Sequence, residues 1–263
     1  MPNNRLKVMV AAPLAEELAT LLVEREPRID LVYEPALLSP MRFPADYSGD
    51  PAFRRSDADE QRFAALIDSA DALYGIPDVD PARLRRAVDA NPNLRWVHTM
   101  AAGGGGQVKA AGLTAEQLSR VAFTTSAGVH GAPLAEFAVF GVFAGAKDLI
   151  RLRAQQAEHR WSDRWTMRQV DTLTVLVLGT GGIGRVVGDK LRALGARTIG
   201  LTRRDGVPAG FDRAVAPEDL LDVLPEVDAV VNTLPGTEAT TGLVDAEFLA
   251  RLKPDTTLVN VGR

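Results

Sequence analysis

Cysteine is absent from the 263 residues, which excludes disulfides, thiolate nucleophiles and zinc or iron–sulfur sites held by cysteine. That absence fits a cytoplasmic location. Histidine is scarce, with His98, His130 and His159 the full set. An excess of one charge is also lacking. The 30 basic and 34 acidic residues are interspersed and leave a net charge of −4, which gives no footprint for nucleic acid or an anionic membrane. Long apolar runs are missing as well. The N-terminal MPNNRLKVMVAAPLAEELATLL brings in acidic residues straight after its apolar start, unlike a signal peptide. The most apolar stretch, LAEFAVFGVFAGAK, is interrupted by Glu136 and closed by Lys147, too short and too charged to span a bilayer. A small-molecule partner is the expectation that remains, with no nucleic acid, no membrane and no metal.

A hydrophobic content of 46% is enough to bury a proper core, and the length suits two medium domains. From residue 5 onward, short β-rich runs alternate with amphipathic stretches. LKVMVA, IDLVYE, DALYGI, LRWVHTM and RVAFTTS read as strands, while LAEELATLLVE, DEQRFAALIDSA and PARLRRAVDA read as helices. Residues 39–56, SPMRFPADYSGDPAFRRS, contain three prolines and no periodicity, the pattern of a long surface loop. A long apolar-faced helix is expected from Pro133 to about Glu158. A second series follows, with LTVLVLG, RTIGLT, VDAVVNT and TTLVNV as strands and IGRVVGDKLRALGA, APEDLLDVLP and DAEFLARL as helices. The pattern predicts an α/β protein with two parallel-sheet domains, Rossmann-like or flavodoxin-like.

VLVLGTGGIGR places Gly179, Gly181 and Gly184 in G-x-G-x-x-G spacing, after a buried strand and at a helix start. The first glycine permits a tight turn, the second lets a pyrophosphate approach the backbone, and the third lets helix and strand pack closely. The anion then sits on free N–H groups at the helix N-terminus, with Thr180, Gly182 and Ile183 completing the loop. At the end of the next strand, where an NAD enzyme holds a carboxylate, stands Thr202 followed by Arg203 and Arg204. A hydroxyl and two guanidiniums suit a ribose 2′-phosphate, so NADP(H) is favoured over NAD(H). A solvated turn with incidental arginines is the alternative.

On these residues, the chain resembles the D-isomer-specific 2-hydroxyacid dehydrogenase family, in particular its glyoxylate and hydroxypyruvate reductase-like branches. The resemblance rests also on TTSAGVHGAPLAEFAVFGVF, with its Ala135–Glu136 pair, and on VDAVVNTLPGTEATTGLVDAEFLARLKPDTTLVNVGR. It implies a substrate-binding domain over residues 1–127, a hinge helix, and a dinucleotide-binding domain over 128–263 that is incomplete at its C-terminal end. It implies that Arg263 holds the substrate carboxylate and carbonyl, and that amides at Ala102 and Gly103, in VHTMAAGGGGQV, bind the carboxylate as well. The four glycines at 103–106 depart from the family's single glycine followed by larger residues. Thr233, Leu234 and Pro235 are placed along the adenosine side, Thr240 near the following helix start, and Val261 under the nicotinamide. The family's catalytic glutamate and histidine fall after residue 263, so a fragment of a longer dehydrogenase, inactive as given, is expected. His98 points into the core or a cleft, His159 is solvated, and His130 lies in a loop near the cofactor with no carboxylate to tune it. A homodimer is implied. The alternatives are an NAD-dependent phosphoglycerate-type dehydrogenase and a non-catalytic NADP-binding sensor module.

Overall fold

The structure is a computed structural model that describes residues 5–262. The chain divides into two compact units, Met1–Ala127 and Gly128–Arg263. In the first, β1 (Leu6–Val10), α1 (Glu16–Arg25), β2 (Ile29–Val32), α2 (Asp57–Asp68), β3 (Ala72–Tyr74), α3 (Pro81–Ala90), β4 (Trp96–His98), α4 (Gly105–Ala110), α5 (Ala115–Arg120) and β5 (Ala122–Thr124) follow in order. All strand pairs are parallel and the spatial order is β2-β1-β3-β4-β5, the flavodoxin-like arrangement. The helices begin where the sequence supplies caps. Ser56 accepts from Asp59 N–H ahead of α2, Asp80 accepts from Ala82 N–H with Pro81 in the first turn of α3, and Thr114 with Gln117 forms a capping box on α5. Met9, Phe63, Leu73, Leu84 and Leu94 are fully buried between sheet and helices.

The segment 39–56 is a surface loop as expected, and one other expectation for this unit changes. The proline-containing loop 39–56 is built around a buried carboxylate. Asp46 accepts from Arg42 Nε at 2.7 Å and from the N–H groups of Arg42, Ser48 and Gly49, and the Arg42 side chain with the Arg42 and Gly49 amides holds its carboxyl well below the usual carboxylate range. Arg55, buried over the Phe63 ring at 3.8 Å, ties the end of the loop to Asp78 at 2.7 Å and to the Leu37 carbonyl at 2.6 Å. The glycine run, expected as a loop, starts α4, and α5 follows it; their six-residue lengths leave too few turns for periodicity to show.

In the second unit come α6 (Gly131–Ala146), α7 (Leu149–Ala157), β6 (Thr174–Leu178), α8 (Gly182–Ala193), β7 (Arg197–Leu201), β8 (Arg213–Val215), α9 (Leu220–Val223), β9 (Ala229–Asn232), α10 (Ala246–Arg251) and β10 (Thr257–Asn260). Their order, β10-β9-β6-β7-β8, is again all parallel and corresponds to the Rossmann 3-2-1-4-5 arrangement. β6 is buried at every position, as a central parallel strand covered on both faces must be. α8 buries Gly184, Val187, Gly188 and Leu191, a single helical stripe. α6 packs on β10 through small residues, since a Cβ at Gly141 would stand 2.7 Å from Val259 Cγ2.

The single long helix expected from Pro133 is two helices. Asp148 adopts a left-handed conformation, φ 51°, and its side chain caps α7 by accepting from Arg151 N–H, which ends one helix and starts the next. β8 was not expected at all; its three residues pair on one side only, with β7. Among the described residues, no helix is long and apolar enough to cross a membrane.

Candidate functional site

In open parallel sheets, ligands bind outside the carboxyl ends of the strands where the strand order reverses. In the second sheet that point lies between β6 and β9, and the glycine loop leaves β6 there. Gly179 has φ +95°, a conformation that side chains rarely adopt, so the tight turn requires glycine. A Cβ on Gly184 would collide with the Gly179 carbonyl oxygen, whereas a Cβ on Gly181 would meet nothing within 4 Å. The three glycines thus divide their work as the spacing predicts: turn, open face, close helix packing. Thr180 lies over β7, where a Cβ on Gly200 would stand 2.7 Å from its Cγ2. Gly181 caps α8, Gly182 begins it, and the half-buried Ile183 packs on the core below. The first turn of α8 carries no acidic residue. This cradle fits a pyrophosphate: an open backbone face at the positive end of a helix dipole with no acidic residue in the helix's first turn.

Thr202 follows β7. It is 9% exposed, its N–H donates to the Val215 carbonyl, and its hydroxyl oxygen accepts from Arg204 N–H at 3.1 Å. That bond closes a turn which leaves Arg203 and Arg204 exposed, with no ion pair among the described residues. Asp205 lies further along the same bend.

After β9, Thr233 Oγ1 lies 3.0 Å from the carbonyl oxygens of Leu178 and Gly179, which brings the Thr233–Pro235 turn against the glycine loop. Leu234 and Pro235 line a cleft of about 300 Å³ together with Asn232, Thr240, Thr241, Leu243, Val244, Asn260 and Gly262. The glycine-loop residues, Thr202 and the arginines are not part of its lining. Thr240 sits in a turn ahead of α10 rather than at that helix's start. Its hydroxyl donates to Pro235 O at 2.5 Å and its oxygen accepts from Thr237 N–H at 3.0 Å, so its visible work is to brace the turn. Val261 is half-buried and donates its N–H to Asn232 O. Asn260 belongs to the NVGR stretch on which the resemblance rests, but neither it nor Asn232 was given a role, because their contact depends on the pairing of β9 with β10. Arg263 lies outside the described residues.

In the first unit, Ala102 and Gly103 lie in the turn entering α4, and their N–H groups have no acceptor among the described residues. Only Gly104 of the four glycines is demanded by packing, since a Cβ there would collide with Thr99; Gly103, Gly105 and Gly106 face open space. His98 is half-buried, with Nδ1 3.0 Å from Thr124 Oγ1 and Nε2 3.1 Å from Ser126 Oγ, and burial pushes its pKa down. It is a hydrogen-bonded strand histidine beside Tyr74 and Trp96. His130 is exposed at the start of α6 without a side-chain capping bond, and His159 is exposed after α7 with φ 52°.

A Rossmann-ordered sheet with a glycine cradle at its reversal point defines the class, a dinucleotide-binding α/β protein. Comparison with known proteins narrows it. Residues 139–263 match the model of the D-isomer specific 2-hydroxyacid dehydrogenase NAD binding domain, so the second unit is similar to the nucleotide-binding domain of that family. It is 29% identical over 215 residues to a D-3-phosphoglycerate dehydrogenase of Mycobacterium bovis, covering 79% of this chain and 40% of that protein. It is 31% identical over 116 residues to glyoxylate/hydroxypyruvate reductase A of Serratia proteamaculans, covering 44% of this chain and 36% of the relative. The fold is shared with a D-isomer specific 2-hydroxyacid dehydrogenase of Xanthobacter autotrophicus, solved in complex with NADPH and MES, at a TM-score of 0.70 and 23% identity over 99% of this chain and 73% of that one. The chain therefore spans less than half the length of either curated relative.

Proposed function

We propose that this chain is the nucleotide- and substrate-binding portion of an oxidoreductase that interconverts a small 2-oxo acid and its D-2-hydroxy acid, with NADPH preferred over NADH. The observation that carries the cofactor preference is the end of β7. Thr202 uses its oxygen to accept from Arg204 N–H, which leaves its proton free for an acceptor, and Arg203 and Arg204 stand exposed beside it. A 2′-phosphate supplies the acceptors that a hydroxyl and two guanidiniums need, and no carboxylate is present at that position to bond a bare ribose.

When bound, the nicotinamide supplies the hydride. The chain's own contribution is binding and orientation. Gly181 and Gly182 present open backbone to the pyrophosphate, and Thr233, Leu234 and Pro235 border the adenosine side, with Thr240 bracing their turn. Val261 lies beneath the ring. Arg263 holds the substrate carboxylate and stabilises the charge that develops on the carbonyl oxygen. In the first unit, the free N–H groups of Ala102 and Gly103 offer a backbone nest suited to a carboxylate. Residues 1–127 form the substrate domain and 128–263 the nucleotide domain of a cytoplasmic homodimer.

Paired fluorescence titrations with NADPH and NADH test the reading. NADPH is expected to bind at least about tenfold more tightly, and Arg203→Ala to remove about 1.5–3 kcal/mol of that binding, the worth of a charged hydrogen bond, while NADH is unaffected. Equal or tighter NADH binding overturns the NADP preference.

A further inference from the structure

Asn232 and Asn260 occupy the last positions of β9 and β10 and pair directly in the strand register. Two backbone donors determine how their amides point. Leu234 N–H can only donate, so the atom 3.1 Å away is the side-chain oxygen of Asn232. Gly262 N–H likewise donates to the side-chain oxygen of Asn260 at 3.0 Å. The remaining contact between the two side chains, 3.1 Å, must then run from Asn232 Nδ2 to Asn260 Oδ1. Flipping either amide would break a bond to the backbone.

This clasp lies at one end of a continuous chain of contacts. Thr233 Oγ1 touches the carbonyls of Leu178 and Gly179. Gly179 packs on the Leu234 side chain, where a Cβ would stand 3.0 Å from Leu234 Cδ2. Gly262 packs on the other side of the same residue, where a Cβ would stand 2.5 Å from Leu234 O. Leu234 is thus held between the glycine loop and the segment that follows β10, and the two asparagines lock it there.

We infer that Asn232 and Asn260 are positioning residues that couple the glycine loop to the segment after β10, so that a nucleotide on the loop orders the residues leading into Arg263. The inference rests on the cofactor reading given above. Its consequence is a reciprocal coupling, because any ordering passed along the relay strengthens binding of a second ligand by the same factor that ligand gives the cofactor.

Amide hydrogen exchange of the full 263-residue chain, with and without NADPH, tests the coupling, alongside fluorescence titration of NADPH itself. In the wild type, NADPH is expected to slow exchange at Leu234 and Gly262 about fivefold, the lower end of typical coupling factors. Asn260→Asp keeps an oxygen for both Gly262 N–H and Asn232 Nδ2 and preserves the effect. Asn232→Asp sets oxygen against oxygen across the pair and loses it, although both side chains are at the rim and the fold survives either change. NADPH binding without slowed exchange at Gly262, or equal behaviour of the two variants, overturns the coupling and leaves the cofactor reading intact. Absence of NADPH binding to the wild type overturns the cofactor reading itself and the coupling with it.

Discussion

The two sheets are alike at their amino ends and unlike at their carboxyl ends. At the amino end of the first sheet, Asp71 stands just before β3 and its carboxylate accepts from Lys7 N–H, next to the start of β1, at 2.9 Å. At the amino end of the second, Asp228 stands just before β9 and accepts from Thr174 N–H, at the start of β6, at 2.8 Å. The same device anchors each central strand to its neighbour. At the carboxyl ends, β1 runs into Ala11, Ala12 and Pro13, and α1 opens with Glu16 and Glu17. Ala12 fills the reversal point, since a Cβ on the facing Gly75 would collide with it. β6 runs into glycines, and the first turn of α8 is free of acid. Stability is built at one end of each sheet, and only the second sheet leaves the other end open and electropositive for an anion.

The largest effect is expected where the carboxyl-end geometry is tightest. Gly184→Ala drives a methyl into the Gly179 carbonyl, so α8 must shift, with a cost of about 3 kcal/mol in thermal unfolding and loss of NADPH binding in the titration. Retention of both would show that helix and loop do not need their close approach.

A middle-sized effect comes from giving α8 the start that α1 has. Gly182 occupies the first helical position, as Glu16 does in α1, and it is exposed with a negative φ. Gly182→Glu is expected to leave stability within about 0.5 kcal/mol and to weaken NADPH about tenfold, or 1.4 kcal/mol. Unchanged affinity would mean that the dipole and charge contrast between α1 and α8 does not select the anion site.

The smallest effect probes the shared amino-end device. Burial pushes the Asp228 carboxyl up, but the hydrogen bond from Lys253 at 2.8 Å and the Thr174 amide outweigh it and hold the pKa below its ordinary value. A carboxyl with a lowered folded pKa stabilises fully above the unfolded value, about 3.9, and loses that contribution as pH falls through the folded pKa. Asp228→Asn is therefore expected to cost about 1 kcal/mol at pH 7, with the gap to wild type closing below about pH 4. A gap that stays constant across that window in thermal melts would remove the carboxylate from the stability of the sheet.

Much of this architecture is local and was legible. The alternation of β-rich and amphipathic runs marked nine of the ten strands among the described residues, because burial on two faces writes itself into consecutive residues. Asp148 escaped, since a helix break made by a left-handed aspartate looks like any polar position in an amphipathic stretch. β8 escaped because a three-residue edge strand needs little apolar sequence. At the site, the positive φ of Gly179 and the close packing at Gly184 were legible in the spacing, each being a constraint on one turn of chain.

By itself, the sequence determined the class of each unit, the glycine cradle and the charged turn at Thr202–Arg204, all set by backbone conformation and side-chain type within a dozen residues. Only the tertiary structure decided that Asn232 meets Asn260 across 28 residues, that Leu234 is held between Gly179 and Gly262, and that Asp46 is the buried centre of its loop. The reason is physical. Which polar side chain finds which partner depends on strand register and on the path of the chain between them, and neither is encoded in the neighbourhood of either residue.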